Sequence, residues 1–201
     1  MRTVTARIFD YSLDGFIADV GTAFFDFCRD LPDDPAHVAR TRDLYEGADV
    51  HIMGRKHYQD SAQYFPDASG HPYADAINAA RKVIFSHTVQ RADWANTSIA
   101  CGDLDTEIKR LKMDGDGYIV AHGGIGFWRS LIRHDLIDEY RLTIFPYLAG
   151  TGTRLFEDLQ RSPVLDVIST TTFSNGVTEL ALRRISEIAA PGYRSAEILN
   201  C

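Results

Sequence analysis

A pair of adjacent glycines, Gly123-Gly124, set between an apolar run and an amphipathic one, constrains this chain more than any other feature. The run from Tyr118 to Ala121 reads as a buried strand. Ile125, Trp128, Leu131 and Ile132 then recur at helical spacing, and Tyr140, Leu142 and Ile144 alternate as a strand does. Strand, glycine turn, helix, strand is a βαβ unit. In such a unit backbone N–H groups and the positive end of a helix gather at the carboxyl edge of a sheet, where phosphates bind. Taken alone, Gly123-Gly124-Ile125-Gly126 serves equally well as an anion cradle or as a corner that needs a positive φ. The spacing is G-G-x-G, and Asp135, Asp138 and Glu139 follow sooner than the ribose-binding acid expected about 20 residues on, which argues against a Rossmann fold.

The remaining segments extend the alternation of strands and helices. Val4, Ala6 and Ile8 alternate with Thr5 and Arg7 in a half-buried strand from Thr3 to Phe9, followed by the Asp14-Gly15 turn. Pro32 and Pro35 open a helical stretch to about Glu46. Short apolar strands run from Asp49 to Met53 and from Lys82 to Phe85, with a weaker one from Thr97 to Cys101. Asp103 caps a helix through about Met113. Val164–Phe173 and Val177–Ile185 form a hairpin about Asn175-Gly176. The pattern predicts one α/β domain over residues 1–185, three-layered, with a mixed, mostly parallel sheet and a C-terminal antiparallel hairpin. Residues 186–201 read as an extension lying on the surface or on a partner subunit.

Charge and cysteine usage limit the partners. A net charge of -7 and a pI near 5.4 disfavour nucleic acid and anionic membranes, which select a basic face. Cys28, Cys101 and Cys201 lie far apart with no C-x-x-C, which fits a reducing cytoplasm rather than a disulfide framework or zinc site. No run approaches the about 18 apolar residues of a membrane helix, and no signal peptide is evident. The histidines form no H-x-H or H-E-x-x-H arrangement, so no metal site is expected. No G-x-S-x-G elbow or Walker loop is present.

Other candidates for chemistry cluster at strand ends. Gly54-Arg55-Lys56-His57 follows an apolar strand and puts cations at a helix start, against the preference of the macrodipole, as a bound anion such as the 2′-phosphate of NADPH would reward. Ser86-His87-Thr88 offers hydroxyls and an imidazole at the end of the next strand. Asp14 and Asp26 flank an apolar loop from Phe16 to Phe25. A carboxylate among aromatics suits a heterocycle or proton delivery, although Asp14 before Gly15 also suits a plain turn.

These segments together resemble the dihydrofolate-reductase-like superfamily, and within it the riboflavin-biosynthesis reductase domain and its stand-alone bacterial relatives. The matching pieces are SLDGFIA, MGRKHY, KVIFSHT and IVAHGGIGFWRSLIRHDLIDEYRLTIFPYLAGTGTRLF, in order across most of residues 3 to 185. The resemblance implies an NADPH-dependent reductase acting on a small heterocycle of the ribosylaminopyrimidine or dihydropteridine kind, and a homodimer of the kind relatives form. It places Gly54, Arg55, Lys56 and His57 at the adenosine phosphate end and Ser86 and His87 beside the adenine ribose. Gly123 and Gly124 would form a cis peptide, with Ile125, Gly126 and Phe127 along the pyrophosphate. Asp26 would orient the substrate or supply a proton, with Asp14 and Phe25 on the substrate side. The chain departs from the family in carrying His57 for a threonine and Phe27 for a tryptophan, and it lacks the H-x-E and P-C-x-x-C deaminase signature. The departures sustain an alternative, a ligand-binding or assembly protein that keeps the fold without the chemistry.

Overall fold

The computed structural model describes residues 1–157, 159 and 163–185. The extension expected over 186–201 lies outside the described residues. In chain order the elements are β1 (Thr3–Ser12), β2 (Phe16–Ile17), α1 (Ala23–Asp30), α2 (Pro35–Glu46), β3 (Val50–Gly54), α3 (Arg55–Tyr64) and α4 (Ala74–Ala79). Then follow β4 (Lys82–Phe85), β5 (Thr97–Ala100), α5 (Leu104–Met113), β6 (Tyr118–Ala121), α6 (Ile125–Arg133), β7 (Glu139–Phe145), β8 (Thr153–Arg154), β9 (Leu165–Thr172) and β10 (Thr178–Arg184).

The strands lie in the order β5-β4-β3-β6-β1-β7-β10-β9, and the short β2 and β8 pair with each other beside β1. All pairings from β5 across to β7 are parallel. β10 joins antiparallel to β7 and to β9, as the Asn175-Gly176 signal predicts, with Gly176 at φ 83°. A parallel sheet carries its crossover helices on both faces and is covered on both. β6 shows the consequence residue by residue. Ile119 and Ala121 pack toward Leu111 of α5 and Trp128 and Leu131 of α6, while Val120 packs toward Leu44, Tyr45 and Ile77 under α2 and α4. The result is the three-layer α/β architecture that the alternation of strands and helices predicts.

β1 is not half-buried as its alternation implies. Both its apolar residues (Val4, Ala6, Ile8) and its polar ones (Thr5, Arg7) are buried, because it lies at the centre of the sheet. Its pairing with β7 shifts register between Ile8 and Tyr11, and Asp10 within this irregularity has φ 55°. A bulge of this kind bends the strand and re-aims one side chain. Lys82, at the start of β4, is also wholly buried. Its Nζ donates to the carbonyls of Ile77, Asn78 and Ala80 at 2.8, 3.0 and 2.8 Å, which closes the C-terminus of α4, and it stands 4.6 Å from the Trp94 ring centroid.

Candidate active site

At the carboxyl edge of the sheet, β3 and β6 both run into helices through glycine. Gly54 is the N-cap of α3 and Gly124 the N-cap of α6, and neither helix start has a side-chain cap among the described residues. The Gly123-Gly124 peptide bond is cis. The Gly54 N–H donates to the Gly123 carbonyl at 2.9 Å, which holds the two corners side by side. Close packing explains two of the glycines. A Cβ on Gly54 would meet the Phe127 Cβ at 2.8 Å, and one on Gly123, which has φ 102°, would meet Cζ2 of Trp128 at 2.7 Å. Gly124 and Gly126 differ, because a Cβ on either would meet nothing within 4 Å among the described residues. Their bare backbone faces open space beside uncapped helix N-termini, an arrangement suited to an anion.

A groove of about 670 Å³ leads away from this corner, lined by Gly54, Arg55, Ser86, His87, Gly126 and Phe127 among others. These sequence candidates therefore come together. Ser86 Oγ accepts from the N–H groups of Thr88 and Val89 at 3.1 and 3.0 Å, so its hydroxyl shapes the turn on which exposed His87 is presented. Arg55 Nη1 donates to Thr88 Oγ1 at 3.5 Å. Ile125 starts α6 without lining the groove. Lys56 points away, exposed and paired with Asp60 at 3.2 Å.

His57 departs from its expected place at the phosphate end. Successive residues of a helix turn by about 100°, and the third residue of α3 swings inward. His57 lines a second cavity, of about 630 Å³, together with Arg7, Asp10, Tyr45, His122 and Trp94. Its ring lies 5.8 Å from that of His122, which in turn stacks on His51 at 4.8 Å. Burial pushes the His57 and His51 imidazoles down to about 4 and holds His122 well below the ordinary value. The protein around the His57 ring disfavours the cation, and a neutral imidazole makes a poor phosphate ligand. Hydrogen bonds fix the other two tautomers. His51 Nε2 donates to the Tyr45 carbonyl at 2.9 Å, so its Nδ1 accepts from His122 Nε2 at 2.7 Å, which leaves His122 Nδ1 as a bare acceptor.

The acids on the cavity wall are Asp10 and Asp33, and Asp26 is not among them. The β1 bulge places the Asp10 carboxyl on the lining, where burial raises its pKa and the charge of Arg7 opposes the shift. Cys28 of α1 lies nearby, its thiol pushed up to about 12 by burial first and the Asp10 charge second, so it is inert. Asp26, in the first turn of α1, is exposed and paired with Arg29 at 2.7 Å. Neither it nor Phe25 lines the cavity, because the aromatic stretch is a helix that buries Phe24 and turns Asp26 to solvent.

Asp14 performs a structural task. Its carboxylate accepts from Ser12 Oγ at 2.7 Å and from the Ala149 and Gly150 N–H groups at 3.0 and 2.7 Å. These bonds, the Ser12 hydroxyl first, hold its pKa down to about 2. The carboxylate ties the β1–β2 turn to the loop after β7 and takes no place on the cavity wall. Sequence reasoning gives neither Asp10 nor Arg7 a place on the cavity: Arg7 falls inside the strand read from Thr3 to Phe9 as one of its polar alternates, and Asp10 directly after it. Among the described residues no group of three or more histidine, cysteine or carboxylate side chains is arranged to hold a metal ion.

Comparison with known proteins identifies the family and the fold. The model of the RibD C-terminal domain family matches residues 2–178. The uncharacterized Bacillus subtilis protein YyaP is 30% identical over 175 residues, which span 84% of this chain and 88% of YyaP. A putative riboflavin biosynthesis protein from Shewanella sp. PV-4 has a similar structure, with TM-score 0.71 and 26% identity over 91% of this chain and 99% of its own. Dihydrofolate reductase from Enterococcus faecalis, in complex with NADP(H) and RAB-propyl, shares the fold at TM-score 0.59 and 13% identity, over 90% of this chain and 96% of the reductase.

Proposed function

Because this chain belongs to the RibD C-terminal domain family, and so has a reductase-type fold, we propose that it is an NADPH-dependent reductase. Its substrate on this reading is a small heterocycle of the ribosylaminopyrimidine or dihydropteridine kind. The observation that carries the reading is the double glycine corner. Two uncapped helix N-termini start side by side, and bare backbone at Gly124 and Gly126 faces open space. A dinucleotide pyrophosphate fits that cradle, since orphan N–H groups and aligned helix dipoles favour the anion.

The groove at Arg55, Ser86 and His87 accepts the adenosine end, and Arg55 carries the free positive charge for a 2′-phosphate. When bound, the cofactor supplies a hydride. The residues of the chain do the rest. Phe9, His57 and Trp94 wall the inner cavity and exclude water from the reacting atoms. Asp10 holds a proton at the cavity wall and delivers it to the ring nitrogen beside the carbon that takes the hydride, so that a C=N bond becomes CH–NH. Asp10 takes the part that the sequence assigns to Asp26. We further propose a homodimer formed through β9, the outermost strand of the sheet, where Val167 is 64% exposed and Ile168 43%.

Titration of the protein with NADPH, followed by energy transfer from Trp128 and Trp94 to the nicotinamide, tests the cofactor assignment. Saturable transfer at micromolar NADPH, tenfold weaker with NADH, is expected. Absence of saturable binding by either nucleotide would sink the reductase reading.

A further inference from the structure

Arg7 lies on the wall of the inner cavity and is 3% exposed as a residue, yet no carboxylate of the described residues comes within 4.0 Å of its guanidinium. Its hydrogen bonds go to neutral partners. Nη1 donates to Thr143 Oγ1, and Nη2 donates to Thr41 Oγ1 at 3.2 Å and approaches His37 Nε2 at 3.4 Å. Nε has no partner among the described residues. Burial and the Arg7 charge both lower the pKa of His37, which keeps that imidazole neutral, and raised Asp10 supplies no close counter-charge.

A buried cation held without an anion is costly, and a merely structural cross-link of β1, β7 and α2 needs no charge. Three neutral partners fix the guanidinium in place before any ligand arrives, as a binding fork is fixed. Resting on the assignment of the inner cavity to the substrate, we propose that Arg7 anchors a carboxylate carried by a small planar ring. The cations on the wall decide between anions: Arg29, the other arginine lining the cavity, is exposed and already paired with Asp26 and Asp30, which leaves Arg7 as the buried, uncompensated one among the described residues. One guanidinium, already donating on several N–H groups and flanked by a neutral histidine, balances a monoanion, whereas a phosphate dianion calls for a second cation or a helix start beside it.

Fluorine NMR on the full chain, with and without NADP+, measures binding of 4-fluorobenzoate, 4-fluorobenzamide and 4-fluorophenyl phosphate. In the wild type the benzoate is expected to bind at least tenfold more tightly than the isosteric amide and more tightly than the phosphate. Arg7→Gln abolishes the preference over the amide and leaves NADP+ affinity within twofold. Thr143→Val, which frees one arm of the fork, reduces the preference at least threefold and decides the matter if the glutamine variant does not fold. Equal binding of benzoate and amide, a preference that survives both substitutions, or tighter binding of the phosphate would each overturn the anchor. Failure of the wild type to bind NADP+ bears instead on the reductase reading, since the benzoate comparison made without nucleotide stands independently.

Discussion

Gly123 and Gly126 are three residues apart and are glycines for opposite reasons. At Gly123 a side chain would collide with Trp128, while at Gly126, on the first turn of α6, it would enter open groove. Gly126→Ala therefore adds helix propensity, worth about 0.5–1 kcal/mol. It also puts a methyl group where the cofactor backbone is to lie. A variant more stable to urea but at least tenfold weaker for NADPH is expected; unchanged affinity would move the cofactor off this helix. The two acids make a second contrast. Asp10→Asn should lower turnover about 10²-fold, within the usual range for lost acid catalysis, and leave NADPH affinity unchanged. Because Asp10 must hold its proton to give it, wild-type turnover falls as pH rises through its raised pKa, and the asparagine variant loses that dependence. Asp26→Asn, at an exposed ion pair, should leave turnover within twofold in the same steady-state assay. The glycines could be read from the sequence because backbone chemistry leaves few substitutes for them. Asp10 could not, because strand alternation carries no mark of a bulge, and neither could the inward turn of His57, because adjacent residues at a helix start point in different directions.

The elements show the same division between local and long-range causes. β4 and β6 fall where the apolar runs place them, and Asp103 caps α5 by accepting from the Thr106 N–H at 2.9 Å. α4 escaped notice, as six residues with little periodicity give no helical signal. It is held from outside, by Lys82 reaching up from β4 to its last carbonyls, a contact set by the packing of one element on another. Lys82→Met keeps the aliphatic stem and removes the donor. It should cost about 1–3 kcal/mol in urea denaturation, the usual penalty for buried carbonyls left unpaired, and hydrogen exchange should quicken in α4 before the rest of the sheet. A stability loss spread evenly over the sheet would show that the lysine does not act through the helix end.

At the scale of the whole molecule, the buried imidazoles set the acid limit of stability. His51 and His57 titrate near 4 in the folded chain, below the ordinary 6.5. The unfolded chain binds more protons between those values, so the contribution is full above pH 6.5 and lost as pH falls toward 4. The loss is on the order of 3 kcal/mol for one imidazole shifted this far, and denaturant midpoints taken across that window should fall steeply on the acid side. For the proposed dimer, Val167→Lys with Ile168→Lys on the edge of β9 should halve the mass by light scattering while leaving the melting temperature of the subunit fold close to that of the parent; an unchanged mass would put the interface elsewhere. Asp14 and its surroundings reach further than the turn they close. Ala149 and Gly150 hang on its carboxylate, Thr153 pairs with Ile17, and Arg154 Nη1 donates back to the Asp14 carbonyl at 3.2 Å. Segments far apart in the chain are thereby laced into one plate beside the carboxyl end of β1. If that plate lifts to admit a ligand, it hinges as a unit, and a lesion in either segment frees both.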